Sequence, residues 1–180
     1  LVDFNNDSVK DSLLVMQRMF ARYRELVDTG HETEAQRYQL FGVRLDTSSS
    51  IRDVSVTPMG QAELDMGVNP RLVFIVRNAI DSAWEKWDLP VEWTVLAREW
   101  CTSVKIVVSG GFNTAKISRF EKLDVPVDIY AVGSSLFAND GPRVTDYTAD
   151  IAQVKIDGVW RAMSKVGRSR GDNPDLEKVS

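Results

Sequence analysis

Apolar residues follow two patterns that alternate along most of the chain. Short apolar runs stand at residues 1–4, 39–45, 104–108 and 127–132, and continuous runs of this length predict strands covered on both faces. Between them, apolar residues recur at spacings of three and four, which predicts amphipathic helices. The first helix begins at a capping box over residues 8–11, and its buried face comprises Val9, Leu13, Met16, Phe20, Tyr23 and Val27.

Three further helices complete the alternation. One opens at Asn69 and Pro70, which suit the N-cap and the first helical position, and ends before residue 90. Shorter helices are predicted over residues 93–100 and after a cap at residue 113 or 114. Strands that alternate with helices predict an α/β fold, with parallel strands joined by right-handed helical crossovers.

The last part of the chain departs from this pattern. Asp157 and Gly158 separate two short apolar segments, which predicts a two-residue β-hairpin. We therefore divide the chain into strand–helix units over residues 1–143, a hairpin extension over 144–168 and a loose C-terminal tail over 169–180.

Composition restricts the classes of function. The formal net charge is −4, without the clustered basic surface that nucleic-acid binding requires. The single cysteine, Cys101, excludes an internal disulfide and favours a reducing, cytoplasmic setting. No apolar run approaches the roughly 18 residues of a membrane helix, and no signal peptide opens the chain. Because Leu1 already stands in an apolar run, we expect the chain to be a fragment or a processed product.

Two glycine-bearing turns are the strongest candidate sites. Ser109, Gly110 and Gly111 follow one predicted strand, and Gly133 and Ser134 follow the next. Each turn could simply need glycine for its backbone dihedrals. Two such turns on consecutive strands favour phosphate binding, because the loops after the last two strands of α/β barrels commonly form one phosphate cradle.

Charged residues at strand ends are the next candidates. Arg44 and Asp46 alternate onto one side of their strand, towards the mouth or interior of a barrel. They could bind a diphosphate and a ribose diol, or form a structural ion pair. Asp3, at the end of the first apolar run, could face the same mouth or serve a helix cap.

Other reactive residue types give no site. With one histidine and one cysteine, the sequence predicts no metal cluster of the usual ligand spacing and no nucleophile–histidine arrangement. His31 is expected in an exposed loop, and Cys101 in buried packing. The tryptophans expected in the core are Trp84, Trp87, Trp93 and Trp100.

The ordered motifs resemble those of nicotinate phosphoribosyltransferases. They are LVD at residues 1–3, GVRLD at 42–46, VVSGG at 107–111, YAVGS at 130–134 and the IDG hairpin at 156–158. The resemblance implies the C-terminal half of an irregular, TIM-like α/β barrel followed by an antiparallel hairpin. It also implies conversion of nicotinate and phosphoribosyl pyrophosphate into nicotinate mononucleotide and pyrophosphate, with Mg²⁺ bound through pyrophosphate and ATP as an optional co-substrate.

The same resemblance implies roles for the candidate residues. The 5′-phosphate would be held by Ser109, Gly110, Gly111, Gly133 and Ser134. Arg44 and Asp46 would contact the phosphoribosyl group, with Asp3 nearby, and no residue is assigned as catalytic. Similar enzymes are often dimers, so we expect a homodimer or pairing with the missing N-terminal half.

Two departures from the family pattern bear on activity. Thr47, Ser48 and Ser49 stand where the family usually has Ser-Gly-Asp. The family's phosphorylatable histidine and its pyridine-binding aromatic residues lie upstream of this segment. We therefore expect the fragment to be inactive alone. The alternatives are a non-catalytic half-barrel that needs a partner chain, or another phosphoribosyltransferase such as a quinolinate-type enzyme, although the basic cluster of that family is not found.

Overall fold

The parallel sheet has three strands in chain order. The fold is given by a computed structural model that describes residues 1–137 and 151–168. Strands β1 (Gly42–Leu45), β2 (Lys105–Val108) and β3 (Ile129–Tyr130) pair in the order β1-β2-β3, and both pairings are parallel. The predicted α/β class with parallel strands is therefore confirmed, although β1 and β3 are shorter than their apolar runs.

The first apolar run is not a strand. Residues 1–3 are extended beside β1, where the Val2 N–H donates to the Arg44 carbonyl at 3.2 Å. The chain then turns at Phe4, and the N–H of Asn6 donates to the carbonyl of Asp3 at 3.1 Å. Residues 1–3 therefore border the sheet on the side of β1 away from β2.

Seven α-helices lie within the described residues. They are α1 (Ser8–Asp28), α2 (Glu32–Ala35), α3 (Ala62–Asp65), α4 (Pro70–Asp81), α5 (Val91–Ser103), α6 (Thr114–Lys122) and α7 (Ser134–Phe137). Two short 3₁₀ helices cover Gln36–Tyr38 and Ala83–Lys86. Helix α4 ends earlier than predicted, because the chain passes from α4 into the second 3₁₀ helix. No helix in the described part of the chain is both long and apolar enough to cross a membrane.

Polar caps set where the main helices begin. Asn69 accepts from the Leu72 N–H at 3.0 Å to cap α4, and Asn113 accepts from the Lys116 N–H at 2.9 Å to cap α6. The cap predicted at Ser8 is wrong. Asp7 caps α1 by accepting from the Lys10 N–H at 3.1 Å.

Ser8 is displaced from the capping role by a distant carboxylate. Its N–H and its hydroxyl both donate to Oδ2 of the buried Asp53, at 3.0 and 2.6 Å. Because this acceptor lies 45 residues away along the chain, the local sequence pattern could not reveal it.

The helices cover one face of the parallel sheet. The side chains on that face are almost fully buried, and they are Val43, Leu45, Ile106 and Val108. Full burial of each stabilises the fold by about 1.5–3 kcal/mol. On the other face, Arg44 pairs with Val107 and Val107 with Ile129. Arg44 and Ile129 are exposed, so the expectation of strands covered on both faces is wrong here.

Aromatic side chains fill the space between α1, α5 and the second 3₁₀ helix. The Phe20 ring stacks on Trp87 with centroids 4.9 Å apart and meets the edge of Trp100 at 5.6 Å. Trp84 and Trp93 also pack against the core. The assignment of these tryptophans to packing is confirmed.

The hairpin forms at the predicted turn. Strands β4 (Gln153–Ile156) and β5 (Val159–Ala162) are antiparallel. Asp157 and Gly158 both have positive φ, at 50° and 81°, as a two-residue hairpin turn of type I′ requires. The boundary predicted at residues 143–144 and the tail over 169–180 lie outside the described residues.

Candidate functional site

The two glycine turns border one cleft at the carboxyl end of the parallel sheet. The first turn follows β2 and the second follows β3, which are hydrogen-bonded neighbours. The cleft has a volume of about 370 Å³ and is lined by Ser109, Gly110, Gly111, Phe112, Ala131, Val132, Gly133 and Ser134. The structure thus brings together all five residues that the resemblance assigns to phosphate.

The first turn has a backbone that only glycine adopts readily. Gly110 and Gly111 have φ of +90° and +69°. A Cβ on Gly110 would lie 3.2 Å from Oδ1 of Asp46. Glycine at position 110 is therefore required both by its dihedrals and by the close approach of a carboxylate.

Ser109 fastens the first turn to β1. Its N–H donates to the Leu45 carbonyl at 2.9 Å, and its hydroxyl lies within hydrogen-bond distance of that carbonyl and of Asp46 Oδ1, at 3.2 and 2.9 Å. Asp46 therefore contacts the first glycine turn directly.

Lys116 is a cation at the first turn that the sequence analysis missed. From α6, its Nζ donates to the Gly110 carbonyl at 3.1 Å and lies 4.1 Å from the Phe112 ring centroid. Burial, and then the neighbouring charge of Arg119, lower the pKa of the Lys116 ammonium. Its position three residues after the Asn113 cap was the available sequence signal.

The second turn is unstrained and open. Gly133 has no positive φ, and a Cβ there would meet nothing within 4 Å. The turn continues into α7, where the Leu136 N–H donates to the Gly133 carbonyl at 2.9 Å. Ser135 donates its hydroxyl to the Phe112 carbonyl at 3.0 Å, which links the second turn to the first.

Backbone donors remain available along the cleft. Within the described residues, no hydrogen bond occupies the N–H groups of Gly110, Gly111 or Gly133. Free backbone N–H groups beside glycines are the donors that phosphate oxygens use in protein sites. These N–H groups are donors that an anion in the cleft would need, although the whole chain carries a net charge of −4.

Asp3 lies beside Asp46 at the same rim. The side chain of Asp3 is fully buried, and Lys165, from the segment after β5, places its Nζ 2.5 Å from Asp3 Oδ2 and 3.8 Å from Asp46 Oδ2. Oδ1 of Asp3 has no hydrogen-bond partner in the described residues. Burial raises the pKa of the Asp3 carboxyl, and Lys165 opposes the rise. Asp3 does not cap α1.

Arg44 does not join this cluster. The sequence predicted that Arg44 and Asp46 lie on the same side of β1, with the arginine buried. Arg44 is exposed instead, and its guanidinium makes no hydrogen bond or ion pair with the described residues. The reason is that the helices pack on the opposite face of β1, where Val43 and Leu45 point.

The residues that depart from the family pattern form a polar loop after Asp46. Thr47 is buried, and its Oγ1 has no hydrogen-bond partner within the described part of the chain. Ser48 and Ser50 place their hydroxyl oxygens 3.0 Å apart. The loop therefore supplies hydroxyl groups near the rim, where the family pattern has a second carboxylate.

Other reactive groups lie away from the cleft. No group of three or more potential metal-ligating side chains occurs among the described residues. His31 is exposed and lies 3.1 Å from the Thr29 hydroxyl. Cys101 is buried in α5, and burial raises the pKa of its thiol to about 11, so it is a poor nucleophile.

A larger cavity lies at the opposite end of the sheet. It has a volume of about 600 Å³, and Phe41 and Lys105, at the amino ends of β1 and β2, contribute to its lining together with Trp100. In parallel α/β sheets, ligands bind outside the carboxyl ends of the strands. The smaller cleft is therefore the better candidate site.

Comparisons with known proteins give no relative on which to rest an assignment. No family model matches the chain, and no curated protein or solved structure matches it either.

Proposed function

We propose that the chain is the phosphate-binding C-terminal part of a nicotinate phosphoribosyltransferase. This activity joins nicotinate to phosphoribosyl pyrophosphate and releases pyrophosphate, within NAD biosynthesis. The observation that carries the proposal is the pair of glycine turns on neighbouring parallel strands, whose free N–H groups border one cleft of about 370 Å³.

The strand order supports the barrel that this family implies. In a closed α/β barrel each strand pairs with the next along the chain, and the order β1-β2-β3 with residues 1–3 beside β1 follows that rule. The uncovered face that carries Arg44 and Ile129 would then face the barrel interior. In that setting Arg44 could reach a diphosphate from the interior side of the rim.

The cleft would hold the 5′-phosphate of phosphoribosyl pyrophosphate. Phosphate oxygens would accept hydrogen bonds from the N–H groups of Gly110, Gly111 and Gly133, and from the Ser134 hydroxyl. Lys116 adds positive charge at the first turn without occupying the cleft, because it binds the Gly110 carbonyl. The Asp46 carboxylate, next to the same turn, would accept hydrogen bonds from ribose hydroxyls.

The chemistry of this reaction depends mainly on position and charge. The bond from the anomeric carbon to pyrophosphate breaks through an oxocarbenium-like state, and the nicotinate nitrogen forms the new bond. A clamp on the 5′-phosphate fixes the ribose, so that the anomeric carbon meets nicotinate in a reactive geometry. No covalent nucleophile from this chain is needed, and the groups that hold the pyridine ring would come from residues outside it.

Mg²⁺ would depend on the substrate for most of its ligands. The carboxylates of Asp3 and Asp46 already face the Lys165 ammonium, so they do not offer a free set of oxygen ligands. Pyrophosphate oxygens would supply the principal ligands, and the ion would neutralise the leaving group. Coupling to ATP remains an expectation from the resemblance.

A binding experiment tests the proposal directly. Titration of ¹⁵N-labelled protein with phosphoribosyl pyrophosphate and Mg²⁺ should shift the amide signals of Gly110, Gly111, Gly133 and Ser134. Ribose without phosphates is the matched control and should leave these signals in place. If saturating phosphoribosyl pyrophosphate moves none of them, the proposal is wrong. Pyrophosphate release with nicotinate or with quinolinate as acceptor then separates the two transferase classes.

A second candidate is a non-catalytic half-barrel that pairs with another chain. The exposed face of the sheet favours it, because Ile129 is 40% exposed there and sheet faces of this kind are normally covered. Light scattering decides this point. A monomeric mass across micromolar concentrations would contradict the half-barrel, whereas a dimer that binds no phosphoribosyl pyrophosphate would favour it.

A further inference from the structure

A lysine from beyond the hairpin lies between the two carboxylates of the rim. Besides its ion pairs with Asp3 and Asp46, the Lys165 ammonium donates to the Asp46 carbonyl at 2.6 Å. Its side chain is only 11% exposed. A lysine buried to this degree holds a fixed geometry, unlike the surface lysines that contribute little.

The backbone around Lys165 is itself anchored. The Val166 N–H donates to the Phe4 carbonyl at 2.9 Å. Gly167 has φ of +83°, and a Cβ there would lie 3.2 Å from Ile51 Cδ1. The segment is therefore held by a hydrogen bond to Phe4 and lies close to Ile51, residues that precede and follow β1 in the sequence.

Asp46 connects Lys165 to the first glycine turn. Lys165 contacts the carbonyl and Oδ2 of Asp46, while Oδ1 of the same residue accepts from the Ser109 hydroxyl and would lie 3.2 Å from a Cβ on Gly110. Lys165 is therefore linked through Asp46 to Ser109, the residue before Gly110. The sequence positions of Lys165 and Gly110 differ by 55.

The charges at the rim require a cation. The charged groups that face Asp3 are Lys165, which favours the ionised carboxylate, and Asp46, which disfavours it. Without the ammonium, two carboxylates would share a partly buried site and repel each other. Asp46 could relieve the repulsion by turning away from Asp3, and the contact with Ser109 would then change.

We propose that Lys165 is a positioning residue of the phosphoribosyl site, which holds Asp46 against Ser109 and so keeps the first glycine turn in its conformation with positive φ at Gly110 and Gly111. This inference rests on the proposed function but adds a residue that the resemblance does not assign. Lys165 itself is not among the residues that line the cleft.

Three variants test the proposal in the full chain. Lys165→Met removes the charge and keeps most of the side-chain volume, and Lys165→Arg restores the charge. Lys155→Met is the matched control, because Lys155 lies on β4 with its Nζ 6.0 Å from the Trp160 ring centroid and has the same charge. The readouts are the Gly110 amide shift, the titration of the Asp3 carboxyl by ¹³C NMR, and affinity for phosphoribosyl pyrophosphate between pH 5 and pH 8.

The expected results separate positioning from simple structural support. In Lys165→Met the Gly110 amide should shift, Asp3 should titrate at higher pH than in the wild type, and affinity at pH 8 should fall about tenfold. The loss should shrink towards pH 5, where protonation of one carboxyl relieves the repulsion. Lys165→Arg should recover most of the affinity, and Lys155→Met should match the wild type.

Failure of this inference differs from failure of the proposed function. A wild-type chain that binds no phosphoribosyl pyrophosphate contradicts the function, while the Gly110 and Asp3 signals still report on Lys165. Lys165→Met with wild-type signals and affinity overturns the inference alone. Should Lys165→Met not fold, Lys165→Gln replaces it, because the amide removes the charge but keeps a polar group beside both carboxylates. Wild-type affinity and an unchanged Gly110 signal in that variant would equally overturn the positioning role.

Discussion

The two glycine turns of the cleft differ in how they are held. The first turn has two residues with positive φ, a serine fixed to β1, and a carboxylate packed against Gly110. The second has Gly133 without positive φ and with open space where a Cβ would lie. The first turn therefore needs glycine for its own conformation. The second needs glycine only if something else must occupy the space beside it.

This difference separates structural from functional reasons for glycine. A glycine with positive φ is explained by its backbone, whatever binds nearby. A glycine with ordinary φ and no close neighbour has no such explanation. Gly133 is therefore the more informative position for the proposed function, and Gly110 is the more informative one for the fold.

The largest effect is expected from Gly110→Ala. A side chain at φ of +90° costs about 1–2 kcal/mol, and the 3.2 Å contact with Asp46 adds to it. We expect a loss of about 2 kcal/mol in the free energy of unfolding, measured by urea denaturation. Gly133→Ala is the matched control and should change stability by less than about 0.5 kcal/mol. Equal losses in the two variants would remove the contrast between the turns.

Gly133→Val should affect binding instead of folding. The added side chain would project into open space bordering the cleft, so affinity for phosphoribosyl pyrophosphate should fall at least tenfold, about 1.4 kcal/mol. Titration calorimetry measures the affinity, and urea denaturation should give nearly wild-type stability. Ala162→Val, on the exposed strand β5, is the control for added volume. Unchanged affinity in Gly133→Val would leave its glycine unexplained.

Asp128→Asn should weaken the strand that carries the second turn. Asp128 accepts from the Ile106 N–H at 2.8 Å and pairs with Lys105 at 3.0 Å, which ties the start of β3 to β2. Burial alone would raise the pKa of Asp128, but these two partners lower it overall. We expect a loss of about 1 kcal/mol at pH 7, measured by urea denaturation.

The pH dependence of this effect has a definite sign. Because the folded-state pKa of Asp128 is lowered, its stabilisation is present above the ordinary value of 3.8 and is lost as pH falls through the folded value. The difference between Asp128→Asn and the wild type should therefore shrink below pH 4. A difference that stays constant from pH 7 to pH 3 would contradict the ionic contribution.

The smallest effects are expected at the serines of the two turns. Ser109→Ala loses the contact with Asp46, and Ser135→Ala loses the bond to the Phe112 carbonyl. Each should cost about 0.5 kcal/mol of stability. In NMR spectra, Ser109→Ala should shift the Gly110 amide, whereas Ser135→Ala should shift signals of both turns because it removes the link between them. Identical patterns of shifts would show that the turns are not held independently.

Local signals predicted most of the elements correctly. The caps at Asn69 and Asn113 and the hairpin turn at Asp157 and Gly158 were found because the interactions that decide them span only a few residues. The convergence of the glycine turns followed from parallel pairing, which brings the carboxyl ends of neighbouring strands to one edge. These inferences need no knowledge of distant contacts.

Contacts between distant residues account for what the sequence could not predict. Ser8 loses its capping role to Asp53, which lies 45 residues away. Lys165 reaches Asp46 across 119 residues, and no local pattern marks it among the other lysines. Arg44 was expected to be buried because alternation gives the side of a strand but not which side the helices cover.

The buried sulfur of α5 offers a direct measure of how the molecule opens. Because the Cys101 thiol is fully buried and has a pKa of about 11, an alkylating reagent should modify it only in molecules that have transiently unfolded around it. The rate of labelling in native buffer then reports how often the core around Cys101 opens. Comparing that rate in the Gly110 and Gly133 variants would show, without any denaturant, whether damage at the cleft spreads to the packed helices or stays at the rim.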